Sequence, residues 1–101
     1  MLIMVLAAAA ATLAPADVHF RREYRAAPRA VRAFLIRRAG CNHWGGEEGY
    51  DADRARQIAD AARQLRCNRI EADERRIKRR YAKSRRVRWL LATSRDWDTL
   101  P

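Results

Sequence analysis

The chain has 101 residues, 22 Lys+Arg against 12 Asp+Glu, and a formal net charge of +10. That length excludes a multidomain enzyme and allows one small domain. With 34% charged and 49% hydrophobic residues, the composition suits a folded domain and not a disordered tail.

Two segments differ sharply. Met1 to Ala16 reads MLIMVLAAAAATLAPA and contains no charged side chain, so the whole charge falls on the stretch from Asp17 onward. Leu2 to Leu13 has the length of a signal-peptide apolar region, and Ala14-Pro15-Ala16 supplies a small-x-small cleavage pattern. The expectation is a signal peptide over 1–16, export to the periplasm or medium, and a mature chain from Asp17. The apolar run is too short to span a bilayer comfortably, so no transmembrane helix is expected in the mature chain. Arg21, Arg22 and Arg25 lie beyond the leader, while its own N-terminal end lacks Lys and Arg; this opposes the usual orientation rule. A basic segment upstream of Met1, or an uncleaved leader, would account for it.

In chain order, 17–27 is polar and is expected to be irregular. Pro28 can open a helix over Ala30–Ala39, with Val31, Phe34 and Leu35 inward and Arg29, Arg32, Arg37 and Arg38 mostly outward. Gly40 is its expected stop. A loop, CNHWGGEEGY, follows from Cys41 to Tyr50. Asp51 caps a second helix over Ala52–Leu65, with an inward stripe of Ala55, Ile58, Ala59, Ala62 and Leu65. Asp73 and Glu74 suit the start of a third helix that turns Ile77 and Tyr81 inward. Ser84 marks a break before a last helix over Arg85–Thr93 burying Val87, Leu90 and Leu91, with Trp89 at its edge. The tail 94–101 is expected to be loose. No useful period-2 alternation occurs, so the predicted fold is all-α: a small bundle of three to four short helices.

The two cysteines, Cys41 and Cys67, allow one intramolecular pairing. A disulfide closing a loop of about 26 residues would stabilise a chain this small by roughly 3–4 kcal/mol. The alternative is two free thiols in a reducing compartment.

Two constellations bear on function. In the loop, His43, Glu47 and Asp51 contain too few strong ligands for a zinc shell, and no nucleophile with a partner accompanies His43. The expected roles are structural: His43 and Trp44 beside the disulfide, Gly46 turning the chain, Glu47 and Asp51 answering arginines, with Tyr50 closing the loop. No metal, cofactor or catalytic residue is expected. The second constellation is Arg75, Arg76, Lys78, Arg79, Arg80, Lys83, Arg85, Arg86 and Arg88, nine cations with no acid among them. Such a run suits anionic surfaces: phospholipid, lipopolysaccharide or teichoic acid. A solvated face in an Arg-rich protein, 20 Arg to 2 Lys, is the plainer explanation. Nucleic acid is a poor fit, because export removes the chain from it and no binding signature is present.

The loop Cys41-x-His43-x-x-Gly46-Glu47-Glu48-x-Tyr50-Asp51, the second Cys, and Lys78-Arg79-Arg80-Tyr81 resemble a group of small exported proteobacterial proteins of uncharacterised role. The resemblance spans roughly Phe34 to Leu91 and implies location and fold, with no activity. Cys67, Asp73 and Tyr81 are more loosely similar to the LprI-like lysozyme-inhibitor family. Lysozymes are commonly basic, and a +10 chain would be repelled by them. The sequence therefore predicts a non-catalytic binding protein of the cell envelope, meeting anionic components or another envelope protein. The alternatives are a structural or stress-related accessory protein without a ligand, and an inhibitor of the LprI type.

Overall fold

A computed structural model describes residues 3–4 and 14–101. Most of the leader read over 1–16 lies outside the described residues. Five α-helices make up the described chain: α1 (Pro15–Ala26), α2 (Arg29–Gly45), α3 (Ala52–Gln64), α4 (Ile70–Arg80) and α5 (Arg85–Thr93). A 3₁₀ turn, Cys67–Arg69, precedes α4. The fold is all-α, with no strand among the described residues.

The core joins both ends of the chain. Phe20, Ala27, Val31, Phe34, Leu35, Val87, Leu90 and Leu91 are buried together. Tyr24, Ile70, Ile77, Tyr81, Trp89, Trp97 and Leu100 pack around them. Burial of each large apolar side chain contributes about 1.5–3 kcal/mol. The predicted inward residues of α2 and α5 are thus those that pack.

The segment 17–27, expected to be irregular, is instead most of α1. Its apolar stripe is sparse, and its order comes from tertiary packing: the Phe20 ring lies 4.8 Å from Trp97 and 5.9 Å from Trp89. This helix brings the number above the three to four expected. The tail 94–101 is also not loose. Ser94 is buried, and Asn42 Nδ2 donates to the Arg95 carbonyl at 3.0 Å and the Trp97 carbonyl at 2.9 Å.

Gly40 does not stop α2, which runs on to Gly45. A Cβ at Gly40 would approach Leu65 Cδ1 to 2.9 Å, so the glycine is where the α3 end leans on α2. Half of the expected loop is therefore helical. Pro28 occupies the N-cap position and not the first helical one.

Cys41 and Cys67 form the disulfide, with sulfurs 2.07 Å apart. It ties the middle of α2 to the 3₁₀ turn. Arg66, just before Cys67, takes the left-handed conformation at φ 53°. Arg37 Nε reaches the same junction, donating to the Leu65 carbonyl at 2.6 Å. Helix α3 starts as predicted, its N-cap Asp51 accepting from the Arg54 N–H at 2.7 Å. None of its residues is fully buried, and Ala55 and Ala59 are exposed, so the expected apolar stripe is only half used.

Helix α4 begins at Ile70, earlier than expected. Asp73 lies in its first turn, as expected, with Glu74 next to it, and both also face α2. Arg37 Nη2 donates to Asp73 Oδ2 at 2.6 Å, and Arg38 Nη1 donates to Glu74 Oε1. Arg38, expected outside, is 6% exposed. Its Nη2 donates to the Leu91 carbonyl at 2.7 Å and to Ser94 Oγ at 3.1 Å, and its guanidinium lies 5.4 Å from the Phe34 ring. One side chain of α2 thus holds α4 and the end of α5.

Candidate anion-binding surface

The run from Arg75 to Arg88 is the last turns of α4, a tight corner, and the first turns of α5. The corner is built from its backbone outward. The Tyr81 N–H donates to the Ile77 carbonyl at 2.9 Å, and the Ser84 N–H to the Tyr81 carbonyl at 2.9 Å. Ser84 Oγ then accepts from the Val87 N–H at 3.2 Å and caps α5. Ile77, Tyr81 and Val87 pack inward, so the cations between them face water.

All nine predicted cations are exposed, but they are not equivalent. Arg76 donates to Asp73 at 3.1 Å, Lys78 lies 4.0 Å from Glu74, and Arg86 donates to Glu23 at 2.8 Å. Arg75, Arg79, Arg80, Lys83, Arg85 and Arg88 have no carboxylate within 4.0 Å among the described residues. Arg88 instead donates to the Ala82 carbonyl at 3.1 Å, and the Arg80 guanidinium lies 5.5 Å from the Tyr81 ring. An open depression of about 430 Å³ is lined by Arg79, Arg80, Tyr81, Ala82, Lys83 and Ser84.

The helix ends sharpen the electrostatics. Lys78, Arg79 and Arg80 in the last turn of α4 sit favourably on its negative end. Arg85 and Arg86 open α5 with no acid in its first turn, so they add positive charge to an end that is already positive. Glu23 relieves Arg86 from α1, while Arg85 has no carboxylate within 4.0 Å among the described residues. A guanidinium cluster of this kind is suited to phosphate, which it can grip bidentately.

The acidic loop is a different object. Because α2 runs on to Gly45, His43 lies in its last turn and Glu47 just past its end, with Nε2 to Oε1 at 3.5 Å. Glu47 also accepts from Arg54 Nη2 at 2.9 Å. The Arg54 guanidinium lies 5.3 Å from the Trp44 ring, and its Nη1 donates to Gln57 at 2.6 Å. The Trp44 and His43 rings meet edge to face at 5.5 Å. Gly46 ends α2, its N–H donating to the Asn42 and His43 carbonyls. Gly49 lies against Ala55, where a Cβ would come within 3.2 Å. Tyr50 is 78% exposed. Glu47 thus answers an arginine side chain, that of Arg54, whereas Asp51 meets α3 through the Arg54 backbone N–H as its N-cap. The set braces α2 against α3; no group of three or more His, Cys, Asp or Glu placed to hold a metal occurs among the described residues. Nor is any described helix long and apolar enough to cross a membrane.

The sequence reading missed Arg38 as a functional part of the framework. A signal was there: Arg38 falls seven residues after Val31 and four after Phe34, on the buried face, whereas Arg32 and Arg37 fall to either side of it.

The chain matches no protein-family model, no curated protein and no solved structure.

Proposed function

We propose that this chain is an exported, non-catalytic binding protein of the cell envelope. In this reading the corner between α4 and α5 meets anionic envelope components, phospholipid or lipopolysaccharide. The observation that carries it is the group of six cations, exposed and free of carboxylate partners, on a corner whose backbone is fixed by Tyr81 and Ser84. Twenty-two Lys and Arg against 12 acids leave at least ten cations without a one-to-one partner, and six of the carboxylate-free ones fall within Arg75–Arg88. The apolar, uncharged sequence before Pro15 and the disulfide both support an oxidising compartment outside the cytoplasm.

The test is a salt titration of binding to vesicles of phosphatidylglycerol or lipopolysaccharide, with phosphatidylcholine vesicles as reference. The expected result is an anionic preference that fades as ionic strength rises toward physiological values. Replacing Arg79, Arg80, Lys83 and Arg85 with Gln should remove much of it, at about 1 kcal/mol per charge near the surface. Absence of salt-sensitive binding at low ionic strength overturns the reading. Intact mass of the cell-derived protein tests export: a chain starting at Asp17, two hydrogens heavier after reduction, supports it. A full-length reduced species overturns it.

A further inference from the structure

Helix α1 has two unlike sides. Phe20 and Tyr24 face the core. Val18, Arg21, Arg22 and Arg25 share the opposite face at helical spacing, and all four are exposed, Val18 by 42%. None of these arginines has a carboxylate within 4.0 Å among the described residues. Of the two acids of α1, Asp17 stands in its first turn, one turn before Arg21, and Glu23 accepts from Arg86 Nε at 2.8 Å.

That ion pair also fixes where the α1 row lies. Glu23 meets Arg86, and the His19 ring lies 4.8 Å from Trp89, so α1 and α5 run antiparallel side by side. The end of α1 carrying Arg22 and Arg25 therefore abuts the start of α5. There Arg85 and Arg86 continue into the corner. Two basic segments, more than fifty residues apart in sequence, adjoin in space.

We infer that the outer row of α1 and the α4–α5 corner are two halves of one contact surface, and that its partner is an anionic phospholipid bilayer. The inference rests on the corner being an anion-binding surface and adds its extent and its partner. A single phosphate would need only the corner. An extended surface engages both halves, and its arginines can pair with separate headgroup phosphates. Val18 gives the row an apolar point that can enter the interface while the arginines stay at headgroup level.

The experiment measures partition of the full chain into phosphatidylglycerol vesicles relative to phosphatidylcholine vesicles at low ionic strength. The ratio cancels uptake due to the apolar leader. Three variants are compared: R21Q/R22Q/R25Q, R79Q/R80Q/K83Q, and both together. All six positions are exposed, so thermal midpoints should stay unchanged. The expected result is a loss of the anionic preference of roughly 100-fold for each triple variant, from three surface charges. An R21Q/R22Q/R25Q variant that keeps the wild-type ratio overturns the composite surface while leaving the corner reading intact. A corner variant without effect overturns the corner reading and the composite with it. Binding of soluble polyphosphate with the same sensitivity to both triples, and no vesicle preference, overturns the lipid partner.

Discussion

Arg38 donates from Nη2 to the Leu91 carbonyl at 2.7 Å, which places a buried cation of α2 on the carboxyl end of α5. The last carbonyls of a helix lack internal partners and carry partial negative charge. Arg38 satisfies one of them while its Nη1 holds Glu74 on α4. Burial pushes its guanidinium down from the ordinary arginine value, and Glu74 pulls it back up.

Arg38→Met should retain the packing of the side-chain stem but strand Glu74 and the Leu91 carbonyl. We expect a loss of about 3 kcal/mol in urea unfolding at neutral pH. Glu74 is partly hydrated, so Glu74→Gln should cost only about 1 kcal/mol. Equal effects for the two would mean that the bonds to Leu91 and Ser94 contribute nothing.

Asp73 should carry pH dependence. The hydrogen bond from Arg37 holds its carboxyl below the usual value, outweighing the raising effect of desolvation. A carboxyl depressed in the folded state stabilises above its unfolded value, about 3.9, and loses that contribution as pH falls through the folded value. The difference in urea midpoint between the wild type and Asp73→Asn should be constant from about pH 5 to 7 and shrink below about pH 4. A difference that persists at the lowest pH would show that the charge of Asp73 is not what matters.

Removing the disulfide with Cys41→Ser/Cys67→Ser should cost roughly 3–4 kcal/mol, because the 26-residue separation sets the loop freed in the unfolded chain. Differential scanning calorimetry checks it, with each kcal/mol lowering the midpoint by about 4–8 °C in a domain of this size. Helix α3, which has no fully buried residue, should lose hydrogen-exchange protection first. Uniform loss of protection would argue that α3 is not held mainly by the bridge.

Gly40→Ala poses two opposed effects. Alanine favours a helix interior over glycine by about 1 kcal/mol. Its Cβ would meet Leu65 Cδ1 at 2.9 Å, which is the mobile end of a side chain and can turn away. The net change should lie near zero. In a Leu65→Ala background the same substitution should show its full helix gain, and Gly40→Leu should cost about 1–3 kcal/mol by overpacking. Additivity between positions 40 and 65 in a double-mutant cycle would contradict the close approach.

Much of this framework was legible in one dimension. Asp51 was readable before Ala52 because a capping side chain acts on the N–H three residues ahead, and Ser84 was readable as a break before Arg85, which the structure makes the cap of α5. Val87, Leu90 and Leu91 were readable because their spacing is helical, and the Cys pair because only one pairing exists. The basic run was legible as charge, but its division into paired and carboxylate-free cations was not. That division depends on Glu23, Asp73 and Glu74 reaching across from α1 or back along α4. Helix α1 and the tail escaped for one reason. Phe20 and Trp97 are each isolated in their own polar surroundings, and contacts distant in sequence, Phe20 with Trp89 and Trp97, bring them to the core and its cover. Gly40 misled because the signal that ends many helices here accommodates a neighbour.

The Phe20–Trp97 contact has a consequence for the order of events in synthesis. Helix α1 is the first described helix to leave a ribosome, and Trp97 follows 71 residues after Ala26, where that helix ends. Cys41 and Cys67 can meet earlier, since all of α2 and α3 has emerged by then. The side of the Phe20 core that Trp97 covers stays open until that residue has emerged, and contacts of such long sequence separation form slowly. The disulfide-linked part of the fold can therefore assemble well before this side of the core closes.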